Sequence, residues 1–94
     1  MPRYYRHIRQ GDQLIQDPDG IELPDLDAAR GEALEGIRDI LADAIRRGMD
    51  APLDDAIVIM DEAGRELAII PFAEALPLRL RRVLASVSSP DNVP

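Results

Sequence analysis

The chain has no cysteine, no tryptophan and no lysine, and its only rings besides His7 are Tyr4, Tyr5 and Phe72. Without cysteine there are no disulfides and no thiolate metal sites, and the redox compartment is left open. With so few rings the core must be aliphatic. Ile, Leu, Val and Phe make up 26 of 94 residues, above the level of about 20% below which disorder is expected. A chain of this length folds as one domain that buries roughly 60–70% of its unfolded surface. No apolar run approaches the ~18 residues of a membrane span, and no charged leader precedes an apolar stretch of signal-peptide type. A cytoplasmic protein is the expectation. All 11 cations are Arg, which genome composition explains without any demand for guanidinium chemistry.

The formal charge of -7 is unevenly spread. Residues 1–10 carry +3, residues 11–62 carry -11, and residues 63–94 carry +1. Both ends are therefore basic relative to an acidic middle.

The strongest pattern lies between Leu23 and Gly48. Leu26, Ala29, Ala33, Ile37, Ile40, Leu41, Ala44 and Ile45 recur at helical steps, with Leu34 at the edge of the stripe. Glu32, Glu35, Arg38, Asp39, Asp43 and Arg46 occupy the opposite, solvated face. Asp25, after Pro24, is placed to cap the first turn, and Asp27 adds negative charge at the positive end of the dipole. Arg46, Arg47 and Gly48 form the stop. Gly31 and Gly36 each cost about 1 kcal/mol relative to Ala in a helix interior, so this helix depends on packing.

Upstream, MPRYYRHIRQ alternates Tyr4, Arg6 and Ile8 with Tyr5, His7 and Arg9, which reads as a strand. Gly11-Asp12 turns the chain, and Gln13 to Gln16 returns as a second strand. Asp17-Pro18-Asp19-Gly20 has the residues of a type I turn, and Ile21 to Leu23 is a short extended connection that Pro24 favours. Downstream of the helix an acidic linker, 50–55, leads to a second hairpin: AIVIM, a turn at Glu62-Ala63-Gly64-Arg65, then ELAIIPF. Both halves are apolar on both faces, so something must cover the second face. Leu76, Leu80, Val83, Leu84 and Val87 line one side of a second, shorter helix with Pro77 in its first turn, and that helix is the expected cover. SSPDNVP is a frayed terminus.

The order ββαββ, then α, predicts an α+β two-layer sandwich: a four-stranded antiparallel sheet with one long amphipathic helix across one face. Residues 1–76 form the domain, and residues 77–94 a helical extension.

MPRYYRHIRQGD, DPDGIELPDLDAARGEAL and DEAGRELAIIPFAEAL resemble a family of short alphaproteobacterial proteins known only as a domain of unknown function. The resemblance covers about residues 1–76 and implies no activity. A partial resemblance, over about residues 3–47, is to HicB-like antitoxins, in which an early hairpin runs through a Leu-Pro-Asp-Leu element into a helix; here it is Leu23-Pro24-Asp25-Leu26. That likeness implies a partial double-stranded-RNA-binding fold and neutralisation of an RNA-cleaving toxin. A capped helix start explains the same four residues, and no DNA-binding tail is recognisable.

Little in the sequence suggests catalysis. His7 is the lone histidine, so an enzyme or ligand site around it would need a partner supplied by the fold. No serine sits in a nucleophile elbow and no glycine loop cradles phosphate. Asp17, Asp19, Glu22 and Asp25 could offer oxygens to a hard cation, but an EF-hand alignment on Gly20 puts Ile15 and Leu26 where carboxylates belong. No metal, cofactor or catalytic residue is assigned. Arg3, Tyr4, Tyr5, Arg6 and Arg9 mix cations with rings as in nucleic-acid contacts, although the acidity of the chain argues against such binding. The expected function is a non-enzymatic interaction module. It forms a homodimer or binds a protein through the apolar second hairpin and last helix, with Ile57, Ile59, Ile69, Phe72, Leu76, Leu80 and Leu84 as the interface.

Overall fold

Arg3–Gln10 (β1) and Gln13–Ile15 (β2) form the first hairpin of the computed structural model, which describes the backbone of residues 1–87 and the side chains of residues 1–84. Ile8 pairs with Ile15 and Gln10 with Gln13 across a turn in which Gly11 has φ 58°. The chain then folds over at Asp17–Gly20 and returns to the same edge of β1. There Ile21–Glu22 forms a strand of its own, β3, with Tyr4 opposite Ile21 and Arg3 opposite Glu22. The sheet accordingly has five strands rather than the four expected. The connection became a strand because the turn delivers it against free backbone groups of β1, and the Leu23 N–H extends the pairing to the Pro2 carbonyl at 3.0 Å.

Ala56–Met60 (β4) pairs antiparallel with the other side of β1, and Glu66–Pro71 (β5) closes the second hairpin, giving the order β2-β1-β4-β5 with β3 beside β1. Asp61 holds the turn of this hairpin, accepting from the N–H groups of Ala63 and Arg65 and from Arg65 Nε. Those bonds hold its carboxyl below the usual carboxylate range despite some desolvation.

Leu26–Arg46 (α1) lies across one face of the sheet. Asp25 caps it as expected, its carboxylate accepting from the Ala28 N–H at 2.9 Å, and Gly48 leaves the helix at φ 68°. Ala29, Ala33, Ile37 and Leu41 face Tyr4 of β1, Ile57 and Ile59 of β4, Ala68 and Ile70 of β5, and Phe72, and all are buried. Ile45 departs from the expected stripe: it is 70% exposed, because it sits about 80° around the axis from Ile37, the centre of the buried face, in the last turn of the helix. A short 3₁₀ turn, Phe72–Ala75, packs against α1 at the end of β5.

Leu78–Val87 (α2) follows, as the pattern predicted, with Pro77 offering its carbonyl to the Arg81 N–H. Among the described residues it does not spread over the sheet: α2 makes no extensive packing contact with any strand or with α1, and Leu78, Leu80 and Val83 are exposed, whereas Leu84 is half-buried and the Arg81 Nε is buried. The reason lies in the link: Leu76 and Pro77 lead away from a 3₁₀ turn already anchored on the α1 side of the sheet. The side chain of Val87 and the segment SSPDNVP lie outside the described residues.

Candidate functional site

Strand alternation sorts the side chains of β1 to two faces. Tyr4, Arg6 and Ile8 point toward α1 with Ile57 and Ile59, whereas Tyr5, His7 and Arg9 share the other face with Met60, Val58, Ala56 and Ile69; this face is open at Arg9 and Ile69, half-buried at Tyr5, His7, Ala56 and Met60, and buried at Val58. The five residues expected to bind nucleic acid are thereby divided. Tyr4 is core, 7% exposed, and cannot stack on a base. Arg6 faces the helix and pairs with Glu32 at 3.8 Å. Arg3 is engaged by Glu22 and by the Asp19 carbonyl. Tyr5 and Arg9 remain on the open face, where Tyr5 stacks on His7 at 6.1 Å.

The expected interface divides in the same way. Ile57, Ile59 and Phe72 are buried beneath α1, Leu76 packs at the margin of that core, and Leu84 is half-buried. Ile69 on the open face and Leu80 on α2 are exposed.

The acidic turn is a structural knot. One Asp17 oxygen accepts from the N–H groups of Asp19 and Gly20, the other accepts from the Arg6 N–H at 3.2 Å, and the Asp17 N–H donates to His7 Nδ1 at 3.0 Å. These bonds fill the gap in the edge between β2 and β3. Burial opposes ionisation of Asp17, but the N–H groups of Arg6, Gly20 and Asp19, with the Arg6 guanidinium, overcome it and hold its carboxyl below 3.8. Asp25 is spent on its cap and Glu22 on Arg3. Among the described residues no group of three or more His, Asp or Glu could hold a metal ion. His7, accepting at Nδ1, carries its ring proton on Nε2 when neutral, so the ring has no free lone pair for a substrate proton.

Beside this knot lies a feature that sequence reasoning missed. A groove of about 280 Å³ opens between α1 and the β1–β2 edge, lined by Ile8, Ile15, Ile40 and Ile57, with Gly36 on the helix side and Arg6 and Asp17 at one end. Gly36 widens it, since a Cβ built there meets nothing within 4 Å. The available signal was a glycine on the α1 flank one turn from Ile40. From the sequence alone that glycine signifies only a cost to helix stability.

These features define a class: a small α+β module with one antiparallel sheet, one helix across it and a separate amphipathic arm. Residues 3–73 match the family model described as a domain of unknown function (DUF6894), and the chain belongs to that family. The match runs from β1 into the 3₁₀ turn and ends before α2. No curated protein and no solved structure matches the chain. Among the described residues no helix is long and apolar enough to cross a membrane.

Proposed function

We propose that this protein is a non-enzymatic interaction module that self-associates through α2. The observation that carries this reading is the exposure of Leu80 and Val83, at 43% and 52%, on one side of a helix that among the described residues makes no extensive contact with the rest of the chain; Leu78, 55% exposed, lies on the other side. A ten-residue helix is marginal in water without tertiary contacts, so an apolar stripe on it calls for a partner surface. The engagement of His7 and Asp17 in backbone bonding supports the non-enzymatic part, because using either as a base would disrupt the edge of the sheet.

Light scattering after size-exclusion chromatography tests the reading. The expected mass at about 100 µM, a concentration that detects even weak dimers, is twice that of the 10.4 kDa chain. A mass of one chain at that concentration refutes it.

A further inference from the structure

Resting on that reading, we infer that the receptor for α2 is the groove between α1 and the β1–β2 edge of a second copy, so that two chains exchange their C-terminal helices. Three observations carry the assignment. The first is shape. Ile8, Ile15, Ile40 and Ile57 form an apolar trough that none of the chain's own side chains fills, and Gly36 lets a helix approach α1 closely. Leu80 and Val83 of α2 are apolar, exposed and three residues apart, the spacing at which two side chains enter one groove.

Charge is the second. The groove ends at Asp17, while Glu32 and Asp39 stand one helical turn to either side of Gly36, with Arg6 as the cation among them. α2 contains Arg79, Arg81 and Arg82 and no acidic residue. The rival receptor is the open sheet face, where Arg3 and Arg9 are matched by Glu22 and Glu66. An arginine-bearing helix gains from the acidic wall and finds no net charge to gain from on that face.

The third observation is connectivity. β5, from which α2 departs, and β2, where the groove opens, are opposite edges in the order β2-β1-β4-β5. Three strand spacings amount to about 14 Å, and among the described residues α2 makes no extensive contact with α1, β1 or β2. The chain's own helix does not sit in its own groove, so the occupant comes from another molecule. A helix of ten residues is about 15 Å long, too short for one contact to bury the roughly 1,200–2,000 Å² typical of stable interfaces. Reciprocal exchange doubles the contact and closes the pair.

The test uses full-length chains and analytical ultracentrifugation, with circular dichroism as the check on folding. Leu80→Glu removes the arm and Gly36→Leu fills the groove, and neither replaces a buried side chain. Each should raise the dimer dissociation constant at least about tenfold, equivalent to about 1.4 kcal/mol. Mixing the two variants should give a one-to-one pair tighter than either variant forms alone yet weaker than the wild-type dimer, because the L80E chain keeps its groove and the G36L chain keeps its arm, so one of the two contacts is intact. If G36L fails to fold, Asp39→Arg, a change at an exposed position, should weaken the dimer, and pairing it with Arg79→Glu, beside Val83 on the docking side of α2, should recover part of the loss. A monomeric wild type overturns both this inference and the proposed function. Dispersal by L80E with full dimerisation of G36L and D39R overturns the groove alone and leaves self-association through α2 standing.

Discussion

Replacing Asp17 by Ala tests how the interrupted edge of the sheet is held. The side chain accepts from three backbone N–H groups, those of Arg6, Asp19 and Gly20, each at 3.2 Å. On truncation the Asp19 N–H, which is exposed, passes to water with little loss. The Arg6 and Gly20 N–H groups are part-buried, and an unsatisfied group of that kind costs about 1–3 kcal/mol. Allowing for partial rescue by solvent, the variant should lose about 2–4 kcal/mol, a large share of the 5–15 kcal/mol typical of a domain. In urea, at a slope of about 1–2 kcal/mol/M for a chain this small, the midpoint should fall by about 1–4 M, with protein concentration held fixed so that association does not alter the comparison. Asp19→Ala is the control, since its carboxylate accepts no hydrogen bond here, and should stay within about 0.5 kcal/mol.

The effect should also depend on pH. The folded carboxyl of Asp17 lies below its ordinary 3.8, so its contribution is complete above the unfolded value and is lost as pH falls through the folded one. The difference between wild type and Asp17→Ala should be full at pH 7 and should shrink from about pH 5 downward, continuing below 3.8. A variant within 0.5 kcal/mol of wild type at pH 7, or a difference that widens on acidification, would refute the account of the knot.

Two further substitutions probe the core and the turn. Phe72→Ala should cost about 3–5 kcal/mol in chemical denaturation, because Phe72 is 1% exposed in the cluster beneath α1; a loss under 1 kcal/mol would show that α1 does not depend on it. Gly20→Ala should lower the thermal midpoint, since Gly20 has φ 68° and a Cβ there lies 2.9 Å from Tyr5 Cε1 and 3.1 Å from the Tyr4 carbonyl oxygen. A penalty above about 1 kcal/mol is expected from the left-handed backbone alone, and an unchanged midpoint would contradict the packing of the turn on β1.

Local chemistry was legible where one residue decides. Asp25 and Gly48 set the ends of α1 because a carboxylate can cap free N–H groups and glycine can leave the helix at positive φ. The parity of Tyr4 and Tyr5, and of Ile57, Val58 and Ile59, placed each residue on its face without saying which face the helix would take. Tyr4, Ile57 and Ile59 therefore served equally well as surface and as core until α1 was in place. β3 was illegible for a different reason. Its pairing follows from Asp17 reaching back to Arg6 and His7, a contact between residues ten or eleven apart that no periodicity records.

The groove follows from the same arrangement. β2 is three residues long and β3 two, so between them the edge is sealed by the Asp17 side chain rather than by a continuous strand. Arg6, at the centre of that gap, points to the helix face, where its Nε is buried without a hydrogen-bond partner and its tip reaches Glu32 at only 3.8 Å. A charged side chain cannot close down on α1 as Ile or Leu would, because its polar atoms resist dry packing. Gly36, opposite, offers no side chain to fill the space. Each choice costs stability in the isolated chain: an interrupted edge, an unsatisfied nitrogen and a glycine within a helix. Together they leave an apolar trough with acidic flanks at one edge of the sheet, while the chain's basic apolar helix hangs from the other. Such local departures from packing rules are expected where a surface serves function, and their convergence on one groove is the ground for the proposed exchange of helices.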